Sequence, residues 1–371
     1  MSKTKIEWAD MTINPVVGCS KCSPGCDHCY AERIAARLAK NPLTEDYYAR
    51  VVDANGWTGK INNALHWGAR NMPHRVPGKS KRVFVGSMTD LFHPNVGEER
   101  LDTIFASILF DAIISNGHGH SYLLLTKRAD RMREYFAPGP EAMLRRWGEA
   151  GDGWLHLEDG DEMFSGYAEG QTIPLPGHEK HPMMRHEFLW PLPNVWLGVT
   201  VCNQVEADAK IPILLDTPAA KRFVSVEPML GPVNLVRYLL AEEQTYQGDD
   251  ASGFIDYEPL LHWVICGGET GPGARPLHPE WVRSLRYQCD DDGVSFFFKG
   301  WGEWTPAYLQ SDGGYKVNSD ADIPHGFEAE RHVFAETPDI RMYKVGKKRA
   351  GRLLDGLDWT EIPGVTDVNG R

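Results

Sequence analysis

No stretch of the chain approaches the ~18 uninterrupted apolar residues that a membrane-spanning helix requires, and the opening MSKTKIEWAD has no apolar core of the signal-peptide kind. Positive charge is also in deficit. The 39 Lys and Arg against 51 Asp and Glu leave a net charge of −12, which argues against a broad nucleic-acid footprint and restricts phosphate contact to a local groove. These absences point to a cytoplasmic, non-membrane protein whose thiols are reduced. In such a compartment a tight cysteine cluster binds metal or does chemistry rather than forming a disulfide framework. What is present, 371 residues of which 42% are hydrophobic and 24% charged, is a globular chain able to bury a full core in one large domain or two ordinary ones.

Although cysteine totals seven residues, four of them fall in GCSKCSPGCDHCYAER, residues 18–33, directly before a helical pattern. The others, Cys202, Cys266 and Cys289, are scattered.

A short apolar run that ends in small and polar residues and leads into a helical pattern recurs along the chain. The runs are Thr12–Val17, Arg82–Val85, Tyr122–Leu125, Val195–Val201, Arg222–Val226, His262–Ile265 and Val294–Phe298, with helices such as Gly97–Ile114 and Pro279–Asp290 among them. Near-continuous apolar strands alternating with helices mark a parallel sheet buried on both faces. The expected fold is therefore α/β, a full or partly open (β/α) barrel over residues 1–304. Chemistry in such barrels sits at the carboxyl ends of the strands. There the sequence places Cys19–Cys29, Ser87–Asp90, Thr126–Arg128, Cys202 and Asn203, Glu227, Gly267–Glu269 and Lys299–Glu303. Polar residues also mark any strand-to-loop transition, but Asp90, Lys127, Glu227, Glu269 and Lys299 are charges beside buried strands and need a partner or a ligand.

Two segments interrupt the pattern. Residues at about 136–190, rich in Gly, Pro, His and acidic residues, read as an insertion or lid, and about 240–259 as a shorter acidic insertion. Residues 305–371 read as an irregular C-terminal extension. It carries the basic segment Lys344–Arg352, either a solvated tail or a phosphate contact; TKRADRMR at Thr126–Arg133, with Arg128 and Arg133, is a second local basic path for the phosphates of DNA.

The spacing of Cys19, Cys22, Cys26 and Cys29 is C-x2-C-x3-C-x2-C. Thiolates hold zinc or iron–sulfur clusters. A zinc ribbon separates its two cysteine pairs by a dozen residues or more, whereas the gap here is SPG. Zinc stays open. The triplet Cys22, Cys26 and Cys29 has the spacing by which radical S-adenosylmethionine enzymes hold a [4Fe-4S] cluster with three thiolates, leaving one iron for the amino and carboxylate groups of S-adenosylmethionine.

The strings KIEWADMTINPVVGC, SPGCDHCYAER, FVGSMTDLFH, LLLTKRADRM, VWLGVTVCNQ, RFVSVEPMLGPV, WVICGGETGPGARPLHPEWVRSLR and FFFKGWGEW together resemble the phage and bacterial family of three-cysteine-motif, radical-SAM-like proteins, through most of residues 4–304. That family's pattern falls on Cys19, Cys26 and Cys29. Cys22 is extra, so the resemblance selects Cys19 as third ligand where the spacing selects Cys22. The resemblance implies a barrel of the radical SAM type, a [4Fe-4S] cluster, S-adenosyl-L-methionine, a flavodoxin- or ferredoxin-like reducing partner, and a location in the host cytoplasm where the chain is phage-encoded.

It also implies roles for the polar residues at the strand ends. His28 lies beside the adenine, Ser87 and Asp90 meet the methionine amino group, Thr126 and Lys127 its carboxylate, and Thr200 and Asn203 the ribose. Gly267, Gly268 and Glu269 contact cofactor or substrate. Glu227, Lys299 and Glu303 are candidates for substrate recognition or proton transfer. Cys202 and Cys266 are candidates for returning a hydrogen atom, although a lone buried cysteine is more often packing. The 5'-deoxyadenosyl radical so formed abstracts hydrogen from carbon. The resemblance extends this to isomerising or otherwise modifying a substituent on a nucleobase, in modified DNA or a nucleotide. Two other readings stand beside it: a radical enzyme acting on a peptide or small metabolite, and a non-enzymatic module whose cysteines close a zinc or cluster site.

Overall fold

The computed structural model describes residues 2–4, 6–63, 80–115, 119–152, 190–240, 259–311, 315–317 and 328–365. Its main sheet is made of β1 (Ser2–Lys3), β2 (Met11–Ile13), β5 (Arg82–Val85), β6 (Ser121–Thr126), β7 (Val195–Thr200), β8 (Lys221–Val226), β9 (Trp263–Cys266) and β10 (Ser295–Phe298), in that spatial order. A small hairpin, β3 (Val52–Asp53) with β4 (Gly56–Trp57), stands apart from it. β1 runs antiparallel to β2, and the seven strands from β2 to β10 form a parallel, partly open sheet. The fold is α/β, and the partly open form of the expected architecture is the one observed.

The strands form because their residues suit burial on both faces. All six residues of β7 and all four of β9 are buried, as a parallel sheet covered by helices requires. The register, Arg82 opposite Ser121, Tyr122 opposite Val195 and Phe223 opposite Trp263, aligns the carboxyl ends of neighbouring strands. The first parallel strand is shorter than expected. Pro15 has no N–H for a ladder, so β2 stops at Ile13 and Val17 bridges to Asn62 instead.

The helices are α1 (Tyr30–Leu38), α2 (Glu45–Tyr48), α3 (Glu98–Ile114), α4 (Ala129–Phe136), α5 (Pro140–Asp152), α6 (Gln204–Leu215), α7 (Val236–Leu239), α8 (Pro279–Asp291) and α9 (Lys347–Ala350). Among the described residues no helix is long and apolar enough to cross a membrane. The chain divides into two compact units: Met1–Ser23, Cys29–Val199 and Asp216–Lys221 form one, and Pro24–His28, Thr200–Leu215 and Arg222–Arg371 form the other.

In the first unit α3 packs on α5 through aromatic rings, with Phe105 stacked on Trp147 at 5.1 Å. The buried polar groups there satisfy one another: Tyr135 Oη donates to Asp102 at 2.8 Å and Trp147 Nε1 donates to Tyr135 Oη at 2.8 Å. The start of the segment expected as an insertion is thus helix α5, seated in this core. The remainder, 153–189, lies outside the described residues, as does 241–258 of the second expected insertion.

In the second unit Trp263 is fully buried between Phe223 and Phe297, and its Nε1 donates to Glu361 O at 2.8 Å. Residues 359–361 run along the outer edge of β10: Phe298 N donates to Trp359 O at 2.8 Å and Glu361 N to Phe296 O at 3.2 Å. An open sheet needs such a cover, because bare edge strands template association.

Among the described residues after 304 the chain is not irregular, which corrects the expectation. β11 (Trp304–Leu309), β12 (Tyr315–Val317), β13 (Glu330–Val333) and β14 (Ile340–Lys344) form an antiparallel sheet in the order β12-β11-β14-β13. β11 includes Pro306, which has no N–H to donate to a neighbouring strand. The structure accommodates it because β12 pairing begins only at Ala307.

A chain ended at Leu357 loses the β10 cover and buried Trp359. It is expected to lose about 3–5 kcal/mol from that side chain alone and to self-associate, measured by thermal melting and light scattering.

Candidate functional site

Within the first unit the site begins at Gly18. Its φ is +111°, and a Cβ there would stand 2.2 Å from Lys60 O, so glycine alone permits the turn that delivers Cys19. Gly18 N donates to Met88 O at 3.2 Å and Thr89 Oγ1 donates to Gly18 O at 2.7 Å, which pins the start of the cysteine loop to the residues following β5.

Arg128, at the carboxyl end of β6, gathers the rest. Its Nη1 donates to Asp90 Oδ2 at 2.9 Å and lies 3.8 Å from Cys19 Sγ. Its Nη2 donates to Ser20 O at 2.8 Å and to Ser20 Oγ at 3.0 Å. Asp90, 6% exposed, accepts three further bonds, from Phe92 N at 3.0 Å, Thr126 Oγ1 at 2.7 Å and Lys127 N at 3.0 Å. Ser20 Oγ pairs with His93 Nε2 at 2.8 Å. Burial pushes the Cys19 thiol up to about 11, Asp90 adds to this and Arg128 opposes it. Burial and then Arg128 hold His93 below its ordinary value, against Asp90. Cys22 is exposed, and its charge also acts on Arg128. Ser87 sits on a separate contact, donating to Asn14 Oδ1 at 3.2 Å.

In the second unit the ends of β8 and β10 bring Glu227 and Lys299 together, Nζ donating to Oε1 at 2.7 Å. Both pack against Gly267, where a Cβ would meet Lys299 Cβ at 3.3 Å and the Glu227 side chain at 3.5 Å. Glu269 accepts from Arg275, Nε to Oε2 at 2.9 Å and Nη2 to Oε1 at 2.5 Å. Gly268 N donates to Gly300 O at 2.9 Å. Glu303 accepts from Gly271 N at 2.7 Å and Lys347 N at 3.2 Å, so its carboxylate ties two loops. His28 lies against Gly273, whose added Cβ would stand 2.6 Å from the ring.

Other expected site residues are used locally. Asn203 Oδ1 accepts from Glu206 N at 3.0 Å as the cap of α6, and Cys202 N donates to Glu206 Oε2 at 2.9 Å. Thr200 is buried, its carbonyl accepting from Lys210 Nζ at 3.1 Å. Cys266 is fully buried 3.7 Å from Met229 Sδ, and burial raises its thiol well above the ordinary range.

Thiols are the donor type that an iron–sulfur cluster takes. All the cysteines are free thiols, and Cys29 opens α1 without using its side chain as a helix cap. Among the described residues, however, no group of three or more His, Cys, Asp and Glu side chains stands gathered to hold a metal ion. Sequence reasoning missed the two arginines that organise these groups. Arg128 was expected at a strand end and as a phosphate contact, not as the partner of Asp90, and Arg275, inside GPGARP, was given no role.

Asp90→Asn removes the carboxylate facing Arg128 and is expected to cost about 3–5 kcal/mol, read as a fall in Tm, because it leaves a buried charge without its partner. Removing a negative neighbour also lowers the Cys19 thiol from about 11. Iodoacetamide labelling of Cys19 in the metal-free variant should therefore begin at lower pH than in the parent chain, read by peptide mass mapping.

Residues 3–363 match a family described as a protein of unknown function, DUF5131. No curated protein and no solved structure matches the chain. The match, with the ungathered donors, overturns the resemblance to the three-cysteine-motif, radical-SAM-like family. Its strings are shared wording within a chain whose match carries no assigned chemistry. Since the match spans nearly the whole sequence, the protein belongs to the uncharacterised family DUF5131.

Proposed function

We propose that the protein is an iron–sulfur enzyme that uses S-adenosylmethionine to generate a radical at the carboxyl edge of its parallel sheet. The observation that carries the reading is the seat of Cys19: a half-buried thiol on the loop following β2, 3.8 Å from the Arg128 guanidinium, whose charge also feels Cys22. A cation beside thiols offsets the negative charge that metal-bound thiolates bring. When bound, a [4Fe-4S] cluster supplies one electron, drawn from a flavodoxin- or ferredoxin-like reductant, that splits S-adenosylmethionine into methionine and a 5'-deoxyadenosyl radical. The chain's own residues do the rest. In the first unit Arg128 and Asp90 hold Cys19 and Ser20; in the second the paired Glu227 and Lys299 are the candidates for proton transfer. A partly open barrel of the radical SAM type is the architecture this chemistry would use.

For the substrate, a specific observation favours a small molecule or peptide over duplex DNA. Of the basic residues expected to follow a DNA backbone, Arg133 faces Asp130 and Asp216 at 3.7 and 3.8 Å, Lys344 faces Glu330 at 3.0 Å and Arg352 faces Asp358 at 2.9 Å. Each already has an acidic neighbour competing with phosphate.

The test is anaerobic purification, iron and sulfide analysis, and release of 5'-deoxyadenosine from S-adenosylmethionine after reduction with dithionite. Cys26→Ala, Cys29→Ala and Cys19→Ala should each lose most iron and all cleavage, while exposed Cys22→Ala keeps both. Zinc without sulfide would replace the proposal with a closed zinc module. Binding of duplex DNA at low salt together with a new nucleoside after digestion would return the substrate to a nucleobase substituent.

A further inference from the structure

Arg275 lies on the loop between β9 and α8, within the second unit. Its guanidinium grips Glu269 on one side through Nε at 2.9 Å and Nη2 at 2.5 Å, and the Arg275 backbone N donates to the same carboxylate at 2.8 Å. On the other side Nη2 donates to Pro24 O at 2.9 Å and Nη1 to Asp27 Oδ2 at 3.2 Å. Pro24–Cys26 is a single 3-10 turn, and Asp27 N closes it onto Pro24 O at 3.4 Å. One planar fork therefore holds the residue that opens this turn and the residue that follows it. Cys26, buried, lies between these two anchors.

The base of the clamp is rigid. Glu269 is 5% exposed and follows Gly268, where a Cβ would stand 2.2 Å from Trp301 O; a Cβ on Gly302 would stand 2.2 Å from Glu269 O. The loops after β9 and β10 thus meet backbone to backbone, which fixes the carboxylate that aims Arg275. A lysine in this place has no planar fork with which to reach Glu269, Pro24 O and Asp27 together.

We infer that Arg275 is a positioning residue which, anchored by Glu269, holds the Pro24–Cys26 turn and hence the Cys26 thiol in place before any metal binds. That this placement serves a cluster rests on the function proposed above; the placement itself does not.

The experiment is iodoacetamide labelling of the full-length, metal-free chain, with rates at each cysteine read by peptide mass mapping. In the parent chain Cys22 should label fast and Cys26, Cys266 and Cys289 slowly, following their exposure. Arg275→Met should speed Cys26 by at least about tenfold, as local opening of one turn does, while Cys266 and Cys289 stay protected. Arg275→Lys should fall between the two. Should Arg275→Met not fold because Glu269 is left buried without its partner, the Glu269→Gln/Arg275→Met double variant removes both charges and is measured the same way. Unchanged Cys26 labelling, or an equal rise at Cys266 and Cys289, overturns the inference. Iron analysis of the parent chain runs in parallel. A parent chain that takes up no iron and sulfide sinks the cluster reading, and the labelling still decides the clamp.

Discussion

The common direction of the parallel strands is the constraint on which the rest depends. Each crossover returns the chain to the amino end of the next strand, so the segments that leave the strands all emerge at the carboxyl edge. In the first unit this puts Cys19, Asp90 and Arg128 within one hydrogen-bonded group, although they are far apart in sequence. In the second it puts Glu227 and Lys299 on either side of Gly267. The strands themselves are apolar and buried, so every charge at their ends meets a low-dielectric neighbour and must be paired. The observed pairs follow from that requirement before any function is considered.

Two arginines carry most of this pairing. A guanidinium presents five donors in a fixed plane, so one side chain can satisfy a carboxylate and a backbone carbonyl at once. Arg128 does so for Asp90 and Ser20, and Arg275 for Glu269 and Pro24. Both reach the loop that bears the cysteines, one within each unit. The same arrangement changes the meaning of two acidic residues. Asp90 and Glu269, expected to meet a cofactor, each anchor an arginine.

Family membership and chemistry separate in this protein. The match over residues 3–363 is to a family without an assigned activity, and it displaces a resemblance built on eight short strings. The case for a thiolate cluster then stands on the spacing of four cysteines and on the cation beside Cys19.

The sequence by itself determined the alternation of strand and helix. Runs such as Val195–Val201 and His262–Ile265 lie within a residue or two of β7 and β9, because strands buried on both faces are apolar throughout and stand out locally. It also placed the cysteines and the polar residues after those strands. Where the strand pattern was interrupted the expectation missed for a local reason: Pro15 shortened β2. What only tertiary structure decided is which polar groups meet. Arg128 and Asp90 are 38 residues apart and Arg275 and Pro24 are 251 apart, and partners at such separations leave no periodicity in the chain to read. The cover that residues 359–361 lay over β10 belongs to the same class, since it is made by backbone N–H and C=O groups that every residue carries.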